Sequence, residues 1–227
     1  MRATVFNTFL YALQQEPVPV LDAAIPFSDY APVNLSSANK AFATIDYNKP
    51  ESVEKFLESL RNTQACKVLY GGYLEKRNIY KRSTYFNEAE IRNIHLGIDL
   101  WAPENTEVLA VLDGEIHSFN NNTHFGDYGP TLVLKHNFQK LTFYSLYGHL
   151  SLDSLQNYYI GKKIKQGESI GRLGNASVNG NYAPHLHLQI IRNMQNYLGD
   201  YPGVCSKTML SFFKANCPNP NLLLKLP

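Results

Sequence analysis

The chain has 227 residues, 44% of them apolar and 18% charged, a balance typical of a globular protein with one main domain and some elaborations. No stretch approaches the ~20 consecutive apolar residues that a membrane-spanning helix needs, so a membrane span is not expected. Twenty-one Lys and Arg against nineteen Asp and Glu leave a formal charge of only +2, so charge indicates no nucleic-acid partner, and none is expected.

The first twenty residues contain one Arg and a short apolar stretch, which superficially suggests a secretory signal. Asn7 and Thr8 interrupt that stretch, polar residues follow at 14–16, and no convincing small-residue cleavage site is present. We therefore interpret the segment as a helix of the folded protein. A cytoplasmic location is slightly favoured over export.

A second helix is predicted from Pro50 to Asn62, where apolar residues recur at helical spacing after a proline start. No motif that carries chemistry is visible in this part of the chain. Residues 1–66 are expected to form a partly helical extension that packs on the following domain.

Residues 67–195 change to short apolar runs that are separated by turn residues, a pattern that predicts an antiparallel β-sheet. Asp113 and Gly114 stand between two such runs, and because both residues tolerate positive φ, they predict a β-hairpin. The expected class is β-rich, with an all-β or α+β core and the partly helical extension before it.

His95 and Asp99 are four residues apart at the start of this domain. Gly97, Ile98 and Pro103 argue against a helix there, whereas a fully extended strand would separate the pair by ~13 Å. A bend at Gly97 would bring imidazole and carboxylate together. On its own this spacing often occurs by chance.

His185 and His187 stand two apart in an apolar run that resembles a strand, so both would project from one face with Cα atoms about 6.6 Å apart. The alternative is a solvated face, with the intervening Leu and Ile residues forming the only buried face. Combined with His95 and Asp99, the pair supplies the two histidines and one carboxylate of a catalytic zinc site, which leaves a fourth position for water.

Residues 196–227 combine several prolines with Asn and Gly and are expected to be mostly irregular, with residues 222–224 packing on the body of the protein. The three cysteines include no CxxC motif, which argues against a thiolate metal site. Three reduced, buried thiols are expected, although Cys205 and Cys217 would be able to pair in an exported protein.

Taken in order, these motifs resemble those of the lysostaphin-type zinc metallopeptidases, the LytM-like peptidoglycan endopeptidases. The resemblance extends from about Leu69 to Arg192, roughly half of the chain. The segments that carry it are HLGIDLWAPENTEVLAVLDGEI, FGDYGPTLVLKH, YSLYGHLS, GKKIKQGESIGRLG and PHLHLQI.

The resemblance implies one zinc ion per chain, with His95, Asp99 and His187 as its ligands and with His149 and His185 as the catalytic histidines beside it. Zinc lowers the pKa of bound water and polarises a carbonyl oxygen. No HExxH motif supplies a Glu base, so the two catalytic histidines would handle the protons. Which of them is the general base stays open.

The expected activity is hydrolysis of a peptide bond in peptidoglycan or a related peptide. Because neither an export signal nor a wall-binding module is evident, two alternatives stay open: an amidase with another substrate, and a non-catalytic metal-binding or interaction module. It also stays open whether the extension blocks the cleft. Asn34 or Asn39 would be able to fill the open metal position, but turn roles are favoured for both. The oligomeric state is not predicted.

The remaining histidines are assigned to structure, because nothing pairs them at ligand spacing; they are His117, His124 and His136. Some tyrosines would be able to flank the cleft and hold a peptide, although packing is favoured for each; they are Tyr128, Tyr144 and Tyr147.

Overall fold

The computed structural model describes residues 2–82, 91–138 and 141–227. The helices in these ranges are α1 (Ala3–Leu13), α2 (Lys40–Ala43), α3 (Pro50–Gln64), α4 (Leu210–Asn216) and α5 (Asn221–Leu224). The first strands are β1 (Tyr30–Pro32), β2 (Val68–Gly71), β3 (Ile94–His95), β4 (Ile98–Trp101), β5 (Glu107–Leu109) and β6 (Gly114–Asn122). The others are β7 (Gly129–Phe138), β8 (Leu141–Gly148), β9 (Lys163–Ile164), β10 (Ser169–Arg172), β11 (His185–Ile191) and β12 (Val204–Cys205).

One large sheet organises the molecule, with eight strands in the order β1-β2-β4-β11-β8-β7-β6-β9. Every pair in it is antiparallel except β1 with β2 at one edge, which is parallel. Two small antiparallel pairs, β10 with β5 and β12 with β3, flank it. The predicted antiparallel, β-rich fold is therefore confirmed.

Both predicted helices of the extension are present. In α1, Phe6 and Leu10 are buried in the main core, and the ring of Phe6 packs edge-on against Phe143 of β8. In α3, which starts at Pro50, the helical spacing buries Val53 and Leu57. These buried faces, rather than helix propensity, account for most of the stability of such short helices.

The middle of the sheet is buried on both faces, and strand β11 there contains only buried residues. Leu186, Leu188 and Ile190 point into the main core together with α1 and α5. The residues that alternate with them point to the opposite face, which the chain after β11 covers with Tyr201 and Cys217, among others. A polar site on this second face is thereby shielded from bulk water.

The predicted hairpin at Asp113 and Gly114 is wrong. Strand β5 pairs with β10, whereas β6 pairs with β7 and β9, so the dipeptide lies where the chain passes from a small sheet to the large one. The Asp113 carboxylate accepts hydrogen bonds from the Lys165 side chain and the Gln166 amide, both at 2.8 Å. Strands β5 and β6 therefore pair with strands that are distant in sequence and not with each other.

The tail is mostly irregular, as predicted, apart from β12 and the short helices α4 and α5. The predicted packing of residues 222–224 is confirmed, because Leu223 and Leu224 are fully buried in the main core and the Leu224 carbonyl accepts a hydrogen bond from the Val18 amide. All three cysteines are free; Cys205 and Cys217 are buried and Cys66 is partly exposed. The division into 1–66, 67–195 and 196–227 stays a prediction, but β1 and β12 show that the outer segments add strands to the β-structure.

No helix within the described ranges is both long enough and apolar enough to cross a membrane.

Candidate metal centre

Three adjacent central strands place the candidate residues in a row. His187 on β11 lies directly opposite Asp99 on β4 and opposite Gly148 at the end of β8. Side chains directly opposite each other in a sheet project from the same face. His185, two residues earlier, therefore shares that face and lies opposite Trp101.

A bend at Gly97 brings His95 to the same place. Residues 94–95 form β3, the chain turns at 96–97, and β4 begins at Ile98. A Cβ atom at position 97 would lie only 2.6 Å from Cε1 of His187, so the close approach of that ring requires glycine. The bend predicted from the HxxxD spacing is thus present, and its glycine also makes room for a second ring.

The three predicted ligands converge on one point. His95 Nε2 lies 2.9 Å from His187 Nδ1, and Asp99 Oδ1 lies 3.2 Å from the first and 3.1 Å from the second of these atoms. Ligands that bind zinc tetrahedrally at ~2.0–2.1 Å are about 3.3 Å apart. Two imidazoles and one carboxylate at nearly this spacing fit a zinc ion, and the predicted ligand set is the candidate metal group found among the described residues.

Hydrogen bonds from behind the site select the ring nitrogen that each ligand histidine presents. His95 Nδ1–H donates to the Gly72 carbonyl at 2.9 Å, which leaves Nε2 as the ligand atom. His187 Nε2–H donates to Gln189 Oε1 at 3.0 Å, which leaves Nδ1. Gln189 is itself held by a 3.1 Å bond from its amide to the Pro202 carbonyl. Such supporting contacts fix both ring orientation and tautomer.

The alternative of a solvated histidine face is wrong, since His185 and His187 are only 5% and 2% exposed. Burial lowers the pKa of His95 to about 4, so this ring is neutral at pH 7, as a metal ligand must be. Burial alone would raise the pKa of Asp99, but the neighbouring His95 and Arg77 hold it well below its usual range. The carboxylate is therefore ionised and ready to bind a cation.

His149 and His185 form a second pair beside the ligands, with their ring centres 4.2 Å apart. His149 follows β8 in a left-handed conformation, with φ at 65°, and its Nδ1–H donates to the Asn179 carbonyl at 2.8 Å. His185 Nδ1–H donates to the Ala183 carbonyl at 2.7 Å. Both rings consequently keep an unprotonated Nε2, and that of His185 lies 4.0 Å from Asp99 Oδ1. Burial lowers the pKa of both, which makes them neutral proton acceptors at pH 7.

Several residues that support the site could not be predicted from the sequence. Arg77 donates from Nη1 to Asp99 Oδ2 at 2.5 Å and from Nε to Glu75 Oε2 at 2.6 Å. Its sequence context, a loop rich in Lys and Arg, contains no signal that separates it from a surface charge. Gln189 had one detectable signal, because it stands two residues after His187 and so shares its face of the strand.

Segments that are far apart in the chain wall the cleft over the ligands. The extension contributes Leu35, Phe42 and Val53, and the segment after β11 contributes residues 197 and 200–204. Asn34 and Asn39 do not enter the site. The side chain of Asn34 accepts from the Ser36 amide, and that of Asn39 caps α2, as the favoured turn roles predicted.

The other residues named from sequence lie around this centre. Tyr128 lines the cleft with its hydroxyl 3.4 Å from His187 Nε2, whereas the hydroxyl of Tyr147 accepts from the Val111 amide in the core. Tyr144 packs against the ring of His117. His136 hydrogen-bonds Asp113 and Ser145, outside the candidate metal group.

A family model described as Peptidase family M23 matches residues 93–198, a range that contains all five candidate residues. The endolysin of Staphylococcus phage 2638A is 30% identical over 125 residues, which are 53% of this chain and 24% of the endolysin. The chain thus spans about a quarter of the length of that relative.

The solved structures that this chain matches include the catalytic domain of the antimicrobial peptidase lysostaphin from Staphylococcus simulans. It is 26% identical with a TM-score of 0.37, and the match covers 54% of this chain and 80% of that domain. A zinc-containing peptidase from Vibrio cholerae is 26% identical with a TM-score of 0.34, and the match covers 43% of this chain and 27% of that one.

Proposed function

We propose that this chain is a zinc-dependent endopeptidase that cleaves a peptide bond in peptidoglycan or a related peptide, because residues 93–198 match the model of Peptidase family M23. The observation that carries the proposal is the convergence of three ligand atoms within 3.2 Å of one another, with His149 and His185 beside them. One zinc ion per chain, held by His95, Asp99 and His187, would supply an activated water and a Lewis acid for the carbonyl oxygen.

The protein's own contribution to the chemistry is proton handling. His149 and His185 each donate Nδ1–H to a backbone carbonyl, so each offers a lone pair at Nε2 to the cleft. A ring that takes the proton of the attacking water becomes a donor at Nε2. It is then able to stabilise the negative oxygen and to return the proton to the leaving amine. Since both pKa values are lowered, that returned proton is readily released.

The substrate class is proposed from the sequence relative, whose name denotes an endolysin. The walls of the cleft favour a peptide over a small amide, because they place apolar and aromatic side chains from the extension and the tail around the ligands. A non-catalytic module is disfavoured, because both proton-accepting histidines and all three ligands line the same cleft.

The first test separates metal binding from catalysis. We expect about one zinc per chain in the purified protein, no zinc in His187→Ala, and normal zinc but no hydrolysis in His185→Ala. His117→Ala is the matched control, because that ring packs on Tyr144 away from the ligands, and it should keep both properties. A zinc-free wild-type protein, or unchanged turnover in His185→Ala, would contradict the proposal.

Cleavage itself is measured by incubating the zinc-loaded protein with peptidoglycan digests and a peptide library, with products identified by mass spectrometry. A chelator should abolish cleavage and added zinc should restore it. Zinc binding without cleavage of any substrate would favour the non-catalytic module instead.

A further inference from the structure

We propose that Arg77 is a positioning residue that confines the Asp99 carboxylate to metal binding through one oxygen. The inference rests on the proposed zinc site. It concerns a residue outside the range that matches the family model, which begins at residue 93. Arg77 lies in the segment between β2 and β3, and hydrogen bonds between Arg77 and Asn93 and between His95 and Glu75 hold this segment against β3.

The two oxygens of Asp99 have different partners. Oδ1 faces His95 Nε2 and His187 Nδ1 at 3.2 and 3.1 Å, so this oxygen points to the candidate metal position. Oδ2 receives Nη1–H of Arg77. A charge-assisted hydrogen bond to Oδ2 turns the carboxylate away from the geometry in which both oxygens would contact one cation.

The guanidinium is itself fixed. Arg77 Nε donates to Oε2 of Glu75, and Oε1 of the same carboxylate accepts from the Leu35 amide at 2.9 Å. The guanidinium carbon lies 5.4 Å from the centre of the Trp101 ring, which in turn stacks on His185. A chain of contacts therefore runs from the extension through Glu75 and Arg77 to the metal ligand.

One donor of Arg77 has no partner in the part of the chain that the structure describes. The side chain is buried, with 4% of the residue exposed, and Nη2 makes no hydrogen bond with any described residue. A buried donor without an acceptor is costly. An arginine that served only to balance charge would be expected to turn this donor to an acceptor. Its orientation instead satisfies Asp99 and Glu75, as a positioning role requires.

Gly72 makes room for this orientation. A Cβ atom at Gly72 would lie 1.9 Å from Nη2 of Arg77, and the backbone there has φ at 101°, which favours glycine. The carbonyl of the same residue accepts from His95 Nδ1. Gly72 thus supports two ligands, one directly and one through Arg77.

The test compares variants by zinc affinity, in competition with a chromophoric chelator, and by the visible absorption of the Co²⁺-substituted protein. Co²⁺ absorbs more strongly with four ligands than with five. Wild type should give the four-coordinate spectrum. Arg77→Met should give a five-coordinate spectrum, because Oδ2 becomes free to bind the metal. It should also bind zinc about 10- to 100-fold more weakly, because the ligand carboxylate loses the partner that orients it. Arg77→Lys keeps the positive charge but not the two-sided hydrogen bonding of the guanidinium. Its zinc affinity should lie between those of wild type and Arg77→Met.

Gly72→Ala tests the same idea with Arg77 intact, because the new methyl group displaces the guanidinium. The added Cβ would also lie 3.0 Å from His95 Nδ1, so this variant supports the result of Arg77→Met and does not replace it. Gly161→Ala is its control, since position 161 has a similar φ of 88° but no atom within 4 Å of an added Cβ. Gly72→Ala should reproduce the Arg77→Met spectrum, and Gly161→Ala should match wild type. If Arg77→Met fails to fold, Arg77→Lys, which leaves Gly72 and His95 unchanged, decides the question.

Each outcome has a separate meaning. If wild type binds neither zinc nor Co²⁺, the proposed metal site and the role of Arg77 both fail. If wild type binds metal and Arg77→Met or Gly72→Ala keeps its affinity and four-coordinate spectrum, only the role of Arg77 is overturned. A loss of stability with an unchanged Co²⁺ spectrum would mark Arg77 as merely structural and would also overturn the inference.

Discussion

His136 is fully buried on β7, outside the candidate metal group. Its Nδ1–H donates to the Asp113 carbonyl at 2.8 Å, and its Nε2 lies 2.7 Å from the hydroxyl of Ser145. Burial lowers the pKa of this ring to about 4. The folded protein therefore holds His136 neutral at pH values at which an unfolded chain would protonate it.

This difference predicts a pH-dependent stability. Between pH 6.5 and about 4 the unfolded chain binds a proton at His136 that the folded protein does not, so the free energy of unfolding falls as the pH falls. The contribution is at most ~1.4 kcal/mol per pH unit. His136→Gln should be less stable at pH 7 but should lose less stability down to pH 4.5, as measured by urea unfolding. Parallel pH profiles for the two proteins would contradict the prediction.

At the level of residues, the ligand and histidine positions could be predicted because their spacing and order in the chain carry the information. Arg77 and Glu75 could not, because their importance comes from burial, which places a guanidinium with little exposure against Asp99. Nothing in a loop with several basic residues distinguishes a buried arginine from an exposed one. The roles of the five candidate residues stay predictions until they are tested.

Helix α5 is only four residues long, yet it ties the end of the chain to α1 and to the main core. Leu224→Ala should lower the free energy of unfolding by about 2–5 kcal/mol, because it removes a fully buried side chain. Leu198→Ala is the matched control. That side chain is 69% exposed, so the change should stay within about 0.5 kcal/mol. Equal losses in the two variants, measured by urea unfolding, would show that α5 is not part of the cooperative core.

At the level of elements, α1 and α3 were predictable because their periodicity is local. Pairing of strands is not local, and the hairpin prediction failed for that reason: β5 and β6 are neighbours in sequence but pair with β10 and with β7 and β9. Two-residue strands such as β9 have no pattern of their own. Helix α4 was not predicted, because prolines and asparagines surround it in the sequence.

The ligands stand on a sheet with its own large core, so the whole molecule should stay folded without metal, unlike small zinc-dependent domains. Zinc at about 1,000 times its dissociation constant should add ~4 kcal/mol to the free energy of unfolding. Thermal unfolding with chelator and with added zinc measures both effects. His187→Ala should show no shift with zinc. An unfolded metal-free protein, or an equal shift in that variant, would contradict the prediction.

The cleft could not have been predicted from the sequence, because its walls come from segments far apart in the chain. The hydroxyl of Tyr73 donates to the carbonyl of Cys217, 144 residues later, and the amide of Leu35 to Glu75. Contacts of this range depend on the complete fold. The cytoplasmic location favoured by the sequence stays a prediction.

The position of Asp99 and His187 in the sheet also bears on how the protein loses its metal. Their strands, β4 and β11, are third and fourth of eight, away from both edges. Amides in such a position exchange their hydrogens last, because only complete unfolding exposes them. The amide of His187 should therefore be among the slowest to exchange. Brief local openings of the surrounding loops would admit a chelator while the ligand residues keep their positions in the sheet. Protein from which zinc has been removed should therefore bind zinc again without refolding.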